Sequence, residues 1–458
     1  MLRLAVPLVL TELGWLAMSF VDTVMVGRLP DSAVAIGAVS LGSTLFYTIG
    51  IFGSGILLGM DTLVAQAYGA GKPEECHRTM WNALYLGIFI APVLMAVVLG
   101  VLPFFPDFGL APALVAQTVP FLKALVWSTF PLVAYFSLRR YLQAMGIVKP
   151  VVFALISANV VNLLGNWIFV YGHLGMPRFG VPGSGWSTCI SRVYMALVLA
   201  GAAVYYDRKR KSGLWLASRT LEWQRIAMLL RLGFPAASQQ LFEIGGFAFA
   251  TFLIGELGPV QLAGHQIALN VASFTFMVPL GISSAAAVRV GQGVGARDAH
   301  AAARAGWMAL LFGEGFMAFA GLCLFLFNHQ IARIYSPDAV VINAGAALLI
   351  VAAVFQLFDG LQVVTTGALR GAGNTRTPMV ANFVGYWIIG LPLGGLACFK
   401  LHLGAVGMWA GLGLALMIIG IALLITWQMT IREMVTEGAF LTPARHEASA
   451  SGVSDRMP

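Results

Sequence analysis

Apolar runs of about twenty residues follow one another from the first positions to about Trp427, parted by short polar stretches. A bilayer's hydrocarbon core takes roughly 20 helical residues to cross. The runs lack the alternation of a lipid-facing strand, which argues against a β-barrel, and an open sheet would leave its edge groups without partners in lipid. The pattern predicts twelve spanning helices at about 3–26, 34–58, 80–102, 118–142, 151–171, 184–206, 226–255, 262–288, 305–327, 345–369, 379–400 and 404–430. This divides the chain into an N-terminal six-helix lobe (1–206), a linker (207–225), a C-terminal six-helix lobe (226–430) and a polar tail (431–458) expected to be disordered and cytoplasmic. Arg3 precedes the first run, and no small-residue cleavage site closes it, so that run is expected to serve as insertion signal and first span.

Composition agrees. Hydrophobic residues make up 59% of the chain and charged residues 10%, against about 25% charged in soluble domains. The 52 glycines and 20 prolines suit membrane helices, which use them for close packing and kinks. The net charge of +8 comes from basic residues in short loops, so it speaks of topology and not of nucleic acid. Cys76, Cys189, Cys323 and Cys398 are scattered and suggest neither a zinc site nor a disulfide framework.

The polar interruption after the sixth run carries Arg208, Lys209, Arg210, Lys211, Arg219, Arg225 and Arg231, which assigns it to the cytoplasm. Both termini then lie on that side. The two halves also repeat. Arg3-Leu4-Ala5-Val6-Pro7 is echoed by Arg231-Leu232-Gly233-Phe234-Pro235, and Gln66-Ala67-Tyr68-Gly69-Ala70 by Gln292-Gly293-Val294-Gly295-Ala296. Gly180 and Gly183 run with Gly404 and Gly407. An even number of spans per half makes the repeat parallel, with a pseudo-two-fold axis along the membrane normal and a cleft between the halves for a substrate.

Few acids interrupt the runs: Glu12, Asp22, Glu243, Glu314 and Asp359, with Asp61 at a segment end. An acid at a helix centre costs about 2.5–3.5 kcal/mol on insertion scales, so each is a functional candidate. At 1.5 Å per residue, Glu243 and Asp359 come close to the midplane in the same half, where no basic residue stands to neutralise them. Such a pair holds a metal cation or keeps a proton. Glu12 also lies near mid-depth, opposite Gln240 in the repeat, with Asp22 nearer the outer end; helix packing competes with function for both. Glu314 stands without a motif, Asp61 suits a local capping role, and Arg192 snorkels or pairs with a carboxylate. Trp15, Trp127, Trp167, Tyr386 and Trp387 either pack or line the cleft, where aromatic faces attract cations.

Several strings resemble motifs of the multidrug and toxic compound extrusion (MATE) transporters. They are Phe20-Val21-Asp22-Thr23-Val24-Met25-Val26-Gly27, Asp61 through Gly71, Phe242-Glu243-Ile244-Gly245-Gly246-Phe247, and Phe358-Asp359 with Gly367 through Asn374. The resemblance covers roughly residues 1–430, and the paired acids look like the NorM-type branch. It implies two six-helix lobes around a central cavity, and export of organic cations and amphipathic compounds driven by inward sodium or proton flow. It places Glu243 and Asp359 on the C-lobe cation site and Asp22 on the N-lobe coupling acid. Asn270 stands where some animal members carry an acid, and Glu12 where a neutral polar residue is common.

The expectation is therefore an all-α integral membrane antiporter, not an enzyme, with no cofactor beyond the coupling ion, Na+ or H+. Glu243, Asp359, Asp22 and Glu12 are the candidate coupling residues, with sodium held by Glu243 and Asp359 if sodium is the ion. Glu243, Asp359, Trp15, Gln240, Asn270 and Tyr386 are the candidates for binding substrate. The expected partners are small organic cations or drugs and the lipid bilayer, with no nucleic acid, in a monomer at a bacterial inner membrane. A flippase for lipid-linked precursors is the alternative; its diphosphate cargo favours a basic cavity, whereas the intramembrane charges here are mostly acidic. No nucleophile elbow, zinc motif or complete P-loop is present.

Overall fold

A computed structural model describes residues 1–436 and is helical almost throughout. Among the described residues, eleven segments are long and apolar enough to cross a membrane: Leu2–Val26, Ser32–Gly69, Pro73–Asp107, Pro112–Ala144, Lys149–Phe169, Val181–Arg210, Pro259–Gly295, Ala299–Tyr335, Ala339–Gly371, Arg376–Lys400 and Gly404–Thr436. The long helix Trp223–Gly255 stands between the sixth and seventh of these and completes the expected order of twelve. It is less apolar because Arg225, Arg231, Gln239, Gln240 and Glu243 lie along it. Segments are numbered below from first to twelfth, with Trp223–Gly255 as the seventh. The last helix continues to Thr436, into the stretch expected to be a polar tail; the remainder of that tail lies outside the described residues.

The chain forms two compact units. Of the described residues, one unit comprises Leu2–Met60 and Pro73–Leu229, and the other comprises Asp61–Lys72 and positions 230–436. The inner end of the second segment, the helix Gly59–Gly69, is thus packed largely with the C-terminal half. The expected linker is not a free tether. Ser212 and the backbone N–H of Leu214 donate to Asp207, and His77 of the third segment pairs with the Ser212 carbonyl. Glu222 bridges Arg78 and Arg225, which also meet Glu75.

Small residues set the helix spacing, as they do where apolar side chains gain nothing by leaving lipid. A Cβ on Gly183 would stand 2.5 Å from the Phe169 carbonyl oxygen, and one on its repeat mate Gly407 would stand 2.9 Å from that of Ala397. Gly180 and Gly404, which open the sixth and twelfth helices, both take positive φ (62° and 58°), a conformation glycine adopts at no steric cost. The repeat read from the sequence is therefore also a repeat of local backbone geometry. The eleventh segment departs from α-geometry. It is π-helical over Phe383–Gly390 and again over Leu396–Lys400; such stretches are rare and concentrate at functional sites. Tyr386 lies in the first of them.

Candidate functional site

The C-terminal unit gathers acids around the tenth helix. Glu243 on the seventh helix is half-buried and accepts two long hydrogen bonds, from Gln239 Nε2 at 3.3 Å and from Gln362 Nε2 at 3.4 Å. Gln362 also donates to Asn382 Oδ1 at 3.3 Å. Asp359, one turn before Gln362, is only 6% exposed. Glu243 and Glu314 both lie within electrostatic range of it, and Tyr386 lies within range of Glu243 and Asp359. No lysine or arginine occurs between positions 232 and 288, 305 and 332, 334 and 369, 377 and 399, or 401 and 431. Over those stretches, which hold Glu243, Glu314 and Asp359, the helices carry no basic residue to answer the charge of this cluster. Uncompensated carboxylates in a low-dielectric setting take up a proton or a cation rather than remain bare. Among the described residues no three His, Cys, Asp or Glu side chains converge on a metal-sized site. A sodium ion would therefore need neutral oxygens beside Glu243 and Asp359, and the buried Gln362 Oε1, with no protein partner, is one on hand.

The N-terminal unit answers its charges differently. Asp22 accepts from Asn166 Nδ2 at 2.7 Å, Asn162 Nδ2 at 3.1 Å and Thr188 Oγ1 at 2.9 Å, so three neutral donors of the fifth and sixth helices surround it. Glu12 is ion-paired with Arg139 of the fourth segment, itself 2% exposed. Its charge is therefore answered inside the protein, unlike those of Glu243 and Asp359. Arg192 neither snorkels nor meets a carboxylate. It is buried, donates to Ser128 Oγ and Tyr47 Oη, and lies 4.8 Å from the Phe46 ring centroid and 5.9 Å from that of Trp15. Cation–π attraction strengthens in such desolvated surroundings.

The remaining candidates divide. Trp15 belongs to an aromatic cluster, stacked on Tyr135 at 6.1 Å and close to Phe136 at 5.7 Å. Tyr386 is fully buried against Phe247 at 5.8 Å, and its hydroxyl has no partner among the described residues. Gln240 is half-buried and Asn270 exposed on the eighth helix; neither hydrogen-bonds within the described residues. Asp61, expected to cap a helix, pairs with Arg370 at 3.5 Å, while Thr62 Oγ1 donates to the Arg370 carbonyl at 2.6 Å. The sequence reading missed Gln362 and Asn382. Their signal was available, since a primary amide within an apolar span is costly unless it has a partner.

Comparison with known proteins fits this arrangement. The MatE family model matches the chain twice, at residues 7–168 and 235–396, and both ends of the match are displaced by 228 residues (235 − 7 and 396 − 168). A relative from Mesorhizobium japonicum named "Probable multidrug resistance protein NorM" is 36% identical, over 93% of this chain and 92% of its own length. The fold is that of the crystal structure of the eukaryotic MATE transporter AtDTX14, with a TM-score of 0.83 at 19% identity, covering 94% of this chain and 96% of that one. It is equally that of a MOP superfamily transporter from Pyrococcus furiosus, described as having a binding pocket of reverse polarity, with a TM-score of 0.82 at 20% identity, covering 95% and 96%. A repeated match across most of both halves, joined to a full-length relative at this identity, decides the matter: the chain belongs to the MatE family of multidrug and toxic compound extrusion transporters.

Proposed function

We propose that this protein is a multidrug efflux antiporter of the bacterial inner membrane that exports organic cations and amphipathic compounds in exchange for inward-moving Na+ or H+. The NorM name of its relatives supports the drug class. The basic linker and loops support cytoplasmic termini. One observation carries the mechanism: Glu243 and Asp359 stand in the same half without a basic residue along the middle of the surrounding spans, while Glu12 in the other half has Arg139.

Exchange follows from that charge. Open to the outside, the site takes up the coupling ion, which cancels the negative charge and releases a bound cation. Open to the cytoplasm, the ion leaves, and the restored charge favours the next cationic drug. Two ligands exclude one another at one charge, which is the differential affinity that alternating access requires. Tyr386 and the amides of Gln239 and Gln362 are the neutral groups at hand to orient what binds.

The competing reading, a flippase for a diphosphate-linked lipid, calls for the opposite sign of charge. The fold accommodates either sign, as the Pyrococcus furiosus neighbour's description illustrates; the acids of the C-terminal half favour cation export. Ethidium uptake into inverted vesicles under separately imposed sodium and pH gradients tests the proposal and separates the two ions. Uptake that responds to neither gradient contradicts it.

A further inference from the structure

Asp359 has a glutamate on either side of its helix. Glu243 is reached by way of Gln362, and Glu314 lies toward Gly360. We propose that Glu314 is a third ion-handling carboxylate of this half, passing a proton to Asp359 through the notch that Gly360 leaves between the ninth and tenth helices, with the Gln356 amide bridging the two. The proposal rests on the reading of Asp359 as a coupling residue.

Four observations carry it. First, the ninth and tenth helices run antiparallel in a tight register: a Cβ on Gly313 would meet Val364, one on Gly360 would meet Met317, and one on Gly321 would meet the Ala353 carbonyl. That register sets Glu314 opposite Val363, one turn from Asp359, and its side chain reaches back to Gly360. Second, a Cβ on Gly360 would stand 3.1 Å from Glu314 Oε1, so the absent side chain is what admits the carboxyl. Third, Glu314 Oε1 is buried and has no partner among the described residues. Fourth, Gln356 is fully buried, and neither atom of its amide has a partner among them. At 100° per residue Gln356 projects between the directions of Asp359 and Gly360, one turn before them. A buried primary amide with both atoms unpaired is expensive, and such an amide one turn from Asp359 suits a group that changes partners as a proton moves.

The step is a simple transfer. The Glu314 O–H bond breaks, an O–H bond forms on the Asp359 carboxylate, and Glu314 is left ionised. The other titratable groups facing Asp359 are Glu243 and Tyr386. The eighth helix offers His265, already bonded on both ring nitrogens to Thr251 and Trp409, and the twelfth has no charged residue before Arg432.

The test is proton-driven ethidium exchange in proteoliposomes as a function of pH. In Glu314→Gln a second carboxyl beside Asp359 is lost. The midpoint of exchange is then expected to move to lower pH, whereas Glu314→Asp keeps the parental midpoint. Gly360→Ala, which fills the notch, is expected to move the midpoint while leaving both acids in place, and it decides the question if Glu314→Gln does not fold. Profiles of Glu314→Gln or Gly360→Ala that superimpose on a working parent overturn this proposal alone. A parent without proton-driven exchange overturns it together with the role given to protons at Asp359.

Discussion

The backbone of Gly69 lies directly against the carbonyl group of Gln292, so that a methyl group on Gly69 would collide with its oxygen. The repeat mates make the reciprocal contact: a methyl on Gly295 would collide with the carbonyl of Gln66. Gln66 Nε2 also donates to the Gly371 carbonyl at 3.1 Å, close to the Asp61–Arg370 pair. The repeated Gln-x-x-Gly motif thus packs against its own copy about a pseudo-dyad, at the C-terminal ends of the second and eighth segments.

Gly295→Ala or Gly69→Ala is therefore expected to destabilise the protein by about 1–3 kcal/mol, the usual cost of overpacking. Gly315→Ala is the control, because a Cβ there meets nothing within 4 Å; helix propensity alone makes that change neutral to stabilising. Thermal unfolding in detergent distinguishes them. Equal midpoints for all three variants would show that the reciprocal contact carries no packing energy.

The Glu12–Arg139 pair gives a second expectation. Its side chains are 15% and 3% exposed, and removing one partner of a buried pair costs about 3–5 kcal/mol because the other charge is left unanswered. Arg139→Met is expected to lower the unfolding midpoint sharply, and adding Glu12→Gln to recover much of the loss. A double variant as unstable as Arg139→Met would show that Glu12 does not depend on Arg139 for its compensation.

The linker carries a pH dependence of definite sign. Partial burial alone would raise the Glu222 carboxyl, but the Arg78 hydrogen bond and the Arg225 charge outweigh it and hold the group below its ordinary value of 4.5. A depressed carboxyl contributes stability above its unfolded value and loses it as pH falls through the folded one. Docking of the linker on the third segment should thus hold at neutral pH and weaken as pH drops below about 4.5. Limited proteolysis of the linker across that range reads the change. In Glu222→Gln the acid-dependent part should vanish, and an unaltered pH profile would contradict the assignment.

The sequence reveals depth well and azimuth poorly. Run lengths place Glu243 and Asp359 at similar depths, and the structure brings them within electrostatic range. The repeat is legible for the same reason: Gly180 and Gly404 serve identical turns in the two halves. What it conceals is which distant side chain faces which. Arg139 of the fourth segment answers Glu12; Arg192 meets aromatic rings rather than a carboxylate; Glu314, without a motif, lies in the notch beside Asp359. Each outcome depends on helix rotation and on contacts between residues far apart in the chain, which hydrophobic periodicity does not encode. The amides Gln362 and Asn382 left a signal in the sequence but a weak one, since an uncharged side chain interrupts an apolar run only slightly.

The central claim is that the unanswered charge at Glu243 and Asp359 couples drug to ion. Its most direct test is ion-driven ethidium transport by Glu243→Gln and Asp359→Asn in proteoliposomes, with folding checked by gel filtration and thermal unfolding. Both variants should fold and lose drug-stimulated ion flux by tenfold or more, about 1.4 kcal/mol or greater in coupling. Parental rates of efflux in both folded variants would contradict the account.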